Sequence, residues 1–214
     1  MKNNISIKII DSIGDIQKKV NKAIAEEANR ILSQSKSRIL QSAKLLVTDW
    51  ISSQPEMEDL QSSSVGSLAG QFGLYAGQGQ GVAVAIQNSI RNATSIDFKK
   101  FNHNLVGGFD INFQPSDFLN LLNLPQGFVN YENGQLPWLD WLITKGDTTI
   151  VVNYHYNAET GIGRSGLGNM VKGGSFRVPP QFSGTESNNF ITRALIGESQ
   201  EKAITKIFEK ELGG

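Results

Sequence analysis

Residues 12–53 read SIGDIQKKVNKAIAEEANRILSQSKSRILQSAKLLVTDWISS, and the architecture turns on this stretch. Ile13, Ile16, Val20, Ile24, Ala28, Ile31, Ser35, Ile39, Ala43, Leu46 and Trp50 recur at steps of three and four, the stripe of an amphipathic helix. Asp11 or Ser12 is suited to cap its start. Ser52-Ser53-Gln54-Pro55 ends it, because Pro disfavours a helical residue before it. About 40 helical residues extend roughly 60 Å, whereas a compact domain of this length has a diameter of roughly 45 Å. Two readings follow. Either the helix bends near Ser33–Ser37 and is covered by its own sheet, or part of its stripe lies on another subunit.

Outward from this helix the pattern changes. Over residues 54–94, Pro55-Glu56-Met57-Glu58-Asp59 is an acidic helix start, and Val65, Leu68, Ala69 and Phe72 continue at helical spacing. A Gly-rich connector, residues 73–81, precedes residues 82–90, which read as a further short helix or, by pattern alone, as a buried strand. Over residues 95–188, Ile96, Phe98 and Lys100 alternate with polar partners, as do Phe109, Ile111 and Phe113, with Gly107-Gly108 between them. That spacing predicts a hairpin or a pair of edge strands. Short helices are expected at 118–122 and, behind Pro137, at 138–142. The β-branched run 147–154 predicts the clearest strand, and residues 157–188 a Gly-rich loop. Residues 189–212 read as two helices broken at Gly197, with Ala203, Ile204, Ile207, Phe208 and Leu212 on one apolar face. The order predicts one α+β domain over residues 1–214, in which the long N-terminal helix and the C-terminal helix pack on a small antiparallel sheet.

Composition narrows the function. Lys plus Arg (20) equals Asp plus Glu (20), so no overall field draws in nucleic acid or an anionic membrane. The chain has no cysteine, which removes disulfides, thiolate metal sites and cysteine nucleophiles and fits a reducing cytoplasm. No secretory signal and no membrane span is expected. Gly is high at 22 residues and the charged fraction low at 19 %, as in a chain with much loop.

The chemistry-bearing patterns are weak. Gly161-Ile162-Gly163-Arg164-Ser165-Gly166 matches a dinucleotide fingerprint in letters, but the Gly-rich residues after it do not predict the helix whose N-terminus would face a pyrophosphate. His103 and His155 have no partner at a metal-ligating or catalytic spacing. The carboxylates Glu26, Glu27, Glu56, Glu58, Asp59, Glu198 and Glu201 fall on helices beside Lys and Arg, as solvated faces do. Trp138 and Trp141, three apart on one short helix, suit core packing or an anchor at a subunit contact. No catalytic residue, cofactor site or metal site is expected.

Taken in order, the 12–51 helix, Pro55 with Gly66-Ser67-Leu68, and Arg164-Ser165-Gly166 resemble the neck and tail-completion proteins of tailed bacteriophages, the group that includes the lambdoid minor tail protein Z type. Pro179-Pro180-Gln181-Phe182, Phe190-Ile191-Thr192-Arg193-Ala194-Leu195 and the terminal helix 198–212 extend the likeness. Residues from about 95 to 142 are longer than in small members. The resemblance implies a structural virion protein, assembled in the host cytoplasm, that forms a ring, commonly six-fold, between head connector and tail. DNA would pass through that ring without sequence-specific binding. Its partners would be itself and other neck, connector or tail proteins, through heterologous contacts. Ile31, Ile39, Leu46, Trp50, Trp138, Trp141 and Arg164 are then the candidate interface residues. Two other readings remain: a hydrolase with scattered carboxylates, and an adaptor that takes a peptide along the sheet edge near 109–113.

Overall fold

A computed structural model describes residues 10–132, 134–160 and 163–212. The first helix, α1 (Ile13–Ser52), runs unbroken for 40 residues. Ser12 caps it by accepting the Asp15 N–H, and the Ser53 N–H donates to the Asp49 carbonyl at its end. The helix continues without a break through Ser33–Ser37. Ser35 is instead a buried small residue at a helix crossing, where its hydroxyl donates to the Glu211 carbonyl at 3.2 Å and accepts from Arg38. The buried seam is Ala25, Leu32, Ser35, Ile39, Ala43, Val47 and Ile51. It is turned toward Leu32, Val47 and Ile51, so Ile31, Leu46 and Trp50 flank it half-exposed.

Two short helices, α2 (Pro55–Gln61) and α3 (Leu68–Gln71), lead to α4 (Gln78–Ala93). The expected connector is shorter than residues 73–81, because Gly77 takes a left-handed conformation (φ 82°) as N-cap and α4 starts at Gln78. Gly79 lies inside α4 for a steric reason. A Cβ there would sit 1.8 Å from the Leu60 carbonyl oxygen, so only hydrogen lets α4 reach α2. Met57, Leu60, Leu68, Val82, Ala83, Ile86 and Ile90 meet Val47 and Ile51 of α1 in one core.

The strands pair as expected in direction but not as one sheet. Among the described residues they form three separate antiparallel two-stranded ribbons: β1 (Ser95–Lys99) with β2 (Gly108–Asn112), β3 (Val129–Tyr131) with β4 (Gly134–Leu136), and β5 (Val151–Asn157) with β6 (Asn169–Phe176). In the first, Ile96 faces Ile111 and Phe98 faces Phe109. The fifth strand begins at Val151, four residues later than the β-branched run suggests. Within the expected loop 157–188 the eight residues Asn169–Phe176 form β6, whose glycines Gly173 and Gly174 have positive φ and sit against a bulge at Asn153 (φ 64°). A period-2 apolar signal is absent from β6 because most of its side chains face solvent.

Between the ribbons lie α5 (Leu119–Leu122) and α6 (Trp138–Ile143); Pro137 stands one residue ahead of α6 as its N-cap. The chain closes with α7 (Phe190–Leu195) and α8 (Glu198–Leu212), which both pack on α1. Asn189 caps α7 through a capping box, and its amide also donates to the Thr185 and Ile143 carbonyls at 2.9 and 3.3 Å. Arg193 reaches back to the buried carboxylate of Glu56 and ties α7 to α2. The fold is α+β: helices form the core, and the ribbons are set around it.

Candidate assembly surface

Packing on α1 stops abruptly at one turn. Asn29 makes a two-way amide clamp with Phe101, donating to its carbonyl at 3.0 Å and accepting its N–H at 2.7 Å. This pins the β1–β2 turn to the helix. N-terminal to Ala25 no residue of α1 is buried, so its first three turns project about 18 Å as a free rod. On that rod the apolar stripe remains: Ile13 is 87 % exposed, Val20 47 % and Ile24 49 %. Local ion pairs accompany it, Lys19 with Asp11 at 2.5 Å on the rod and Arg30 with Glu27 at 2.5 Å just beyond it. The Arg30 hydrogen bond holds the Glu27 carboxyl below the usual carboxylate range.

The stripe runs without interruption into a groove of about 430 Å³ lined by Ala28, Ile31, Leu32, Phe101, Gly108, Phe109 and Phe208. Phe109 stacks on Phe208 of α8 at 5.2 Å, so these two rings form one wall, and Phe98 lies 5.3 Å from Phe109 outside the groove lining. Phe109 and the apolar face of α8 are visible in the sequence as separate elements. Their convergence is not, and neither is the role of Asn29, a polar residue with no pattern around it.

The seven candidate interface residues divide. Ile31 lines the groove. Leu46 and Trp50 are half-buried, Trp50 edge-on to Phe113 at 6.2 Å. Ile39 and Trp138 are fully buried in their own chain; Trp138 donates its indole N–H to the Gln126 carbonyl at 3.0 Å and lies 5.0 Å from the Phe72 ring. Trp141 packs against the core, its indole N–H buried with no acceptor among the described residues. Arg164 is exposed but engaged. It donates to the carbonyls of Gly73 and Asn130 and lies over the Tyr75 ring at 5.2 Å, fastening three segments together.

The G-x-G-x-x-G letters fall in the β5–β6 connection, with Gly161 and Ile162 outside the described residues. No helix follows; Asn169 opens β6. Beside this turn a cleft of about 700 Å³ lies between the β3–β4 and β5–β6 ribbons, walled by Phe72, Tyr131, Val152, Tyr154, Met170 and Phe176. The Tyr156 hydroxyl donates to the Leu167 carbonyl, and burial pushes its phenol above the usual range.

Other polar groups have local partners. His103 is exposed in the β1–β2 turn. His155 Nδ1 lies 2.8 Å from the Gly173 carbonyl oxygen, which makes it a donor. Asp59 accepts the Leu68 N–H at 2.6 Å, and Glu198 pairs with Lys202 at 2.6 Å. Among the described residues no three His, Asp or Glu side chains gather as metal ligands, and no helix is long and apolar enough to cross a membrane. The β2 edge has no strand partner beyond β1 among the described residues. Comparison of the chain with family models, with curated proteins and with solved structures returned no match in any of the three.

Proposed function

We propose that this chain is a structural subunit of a phage particle, a neck or tail-completion protein that joins head connector to tail as a ring. One observation carries the reading: an apolar helical stripe that its own fold leaves in water over three turns. A contiguous apolar surface of this kind, continuous with an aromatic groove, marks a protein contact in a folded chain. The ordered resemblance of the sequence elements supplies the identity of the assembly. The α+β order of a long first helix, small ribbons and a closing helix pair is consistent with it. Net charge of zero suits a ring through which DNA passes without sticking.

Imaging of particles made with and without the chain tests this. The expected result is filled heads and finished tails that stay separate without it, joined particles when it is restored, and density for it at the joint. Joined, infectious particles in its absence overturn the reading.

A further inference from the structure

The geometry of α1 points to a specific occupant for the exposed stripe: the same stretch of a second copy, laid antiparallel across a two-fold axis at Lys22. The stripe is Ile13, Ile16, Val20, Ile24, Ala28 and Ile31. Its spacing is the same read from either end, so an antiparallel copy centred on Lys22 sets Ile13 against Ile31, Ile16 against Ala28 and Val20 against Ile24. Every seam residue meets another seam residue, as an isologous contact requires. This inference does not need the head–tail reading, and it assigns the stripe that supports that reading to a closed two-fold contact, so a ring would have to use a further surface of the dimer.

Two further observations agree with this register. Ile13 of the second copy arrives beside Ile31, where the groove walled by Phe101, Phe109 and Phe208 is open to receive it. The tip cannot fill that groove on its own chain, because residues 13 and 31 are about 27 Å apart along a straight helix. At 100° per residue, Lys22 lies on the far side of the helix from Val20 and Ile24, so the two copies of Lys22 point away from each other at the axis. Two such helical faces and two filled grooves bury about 1,200 Å², where specific interfaces begin.

The absence of cysteine makes the test direct. Full-length I13C and I31C variants are prepared singly and together, and treated with a short bis-maleimide. The expected results are no cross-link within either single variant, a dimer when the two are mixed, and a covalent product that stops at the dimer when one chain carries both. Separately, V20D/I24D should halve the mass measured at tens of micromolar while leaving the circular dichroism of the chain unchanged, since both positions are already half in water. A monomeric parent chain overturns the inference. So does self-cross-linking of I13C, which indicates parallel helices, or a ladder beyond the dimer from the double variant, which indicates head-to-tail contacts and would itself favour a ring.

Discussion

Two glycines two residues apart in α4 should respond to the same substitution with opposite sign. Gly79 and Gly81 both lie in the first turns of the helix, and in an isolated helix each change to Ala gains about 1 kcal/mol. At Gly81 nothing stands within 4 Å of the added Cβ, so G81A should keep most of that gain and stabilise by about 0.5–1 kcal/mol. At Gly79 the Cβ would fall 1.8 Å from the Leu60 oxygen and 2.9 Å from its carbon. Ordinary contact lies well beyond 3 Å, so α4 must retreat from α2 by more than about 1 Å. That retreat loosens Val82 and Ala83 against Met57 and Leu60, at the upper end of the ~1–3 kcal/mol that overpacking costs. The obstacle is backbone, which cannot rotate aside. Set against the propensity gain, G79A should destabilise by about 2 kcal/mol, a fall of ~4–8 °C in Tm for a chain of this size. Urea titrations of both variants and the parent, at one protein concentration so that association does not intrude, measure the difference. A G79A chain as stable as the parent would refute the close approach of α2 and α4.

Removing Arg193 strands the Glu56 carboxylate, which is 1 % exposed, so R193A should lose about 2–3 kcal/mol, and E56Q less. The loss stays below that of a fully buried pair because the Arg193 side chain is 39 % exposed; chemical denaturation of the two variants gives the order. Changing Asn189 to Ala removes the α7 cap and leaves the Ile143 and Thr185 carbonyls without its amide, so a loss of about 2 kcal/mol is expected, twice that of an ordinary cap. Burial raises the Tyr156 phenol, so the folded state holds that proton more tightly than the unfolded chain. Its contribution is complete below about pH 10 and is lost as pH rises through the folded value. Y156F should therefore lose less stability than the parent between neutral pH and about pH 11; equal slopes would contradict the assignment.

The adaptor reading of the β2 edge and the hydrolase reading have different standing in the structure. The outer edge of β2 lacks a strand partner among the described residues, yet Phe109 on that strand is already stacked on Phe208. Of the carboxylates the sequence singles out, Glu56, Asp59 and Glu198 each have a partner, and Glu26 and Glu27 pair along α1 with Lys22 and Arg30. The N-terminal stripe of α1 leaves apolar side chains in water over three successive turns, and experiments on function begin there.

By itself the sequence determined the elements that rest on local physics. The 40-residue helix follows from an apolar repeat of three and four between a Ser cap and a Pro stop, and the terminal pair from Asn189 and Gly197. The β1–β2 hairpin follows from alternation on both sides of a glycine pair. Each of these signals is held within a few residues, so no distant contact is needed to read it. Tertiary structure alone decided the rest. Which flank of the α1 stripe is buried depends on where α4, α7 and α8 land, and they favour Val47 and Ile51 over Leu46 and Trp50. Ile39 is buried in its own chain for the same reason, and Trp138 because α6 sets it against Phe72 and the Gln126 carbonyl. The sixth strand went unseen because solvent faces most of it, leaving no alternation to detect. An apolar stripe records that a helix face is to be covered, but not by what; only the packing, which ends at Ala25, separates the sheltered part from the part left exposed.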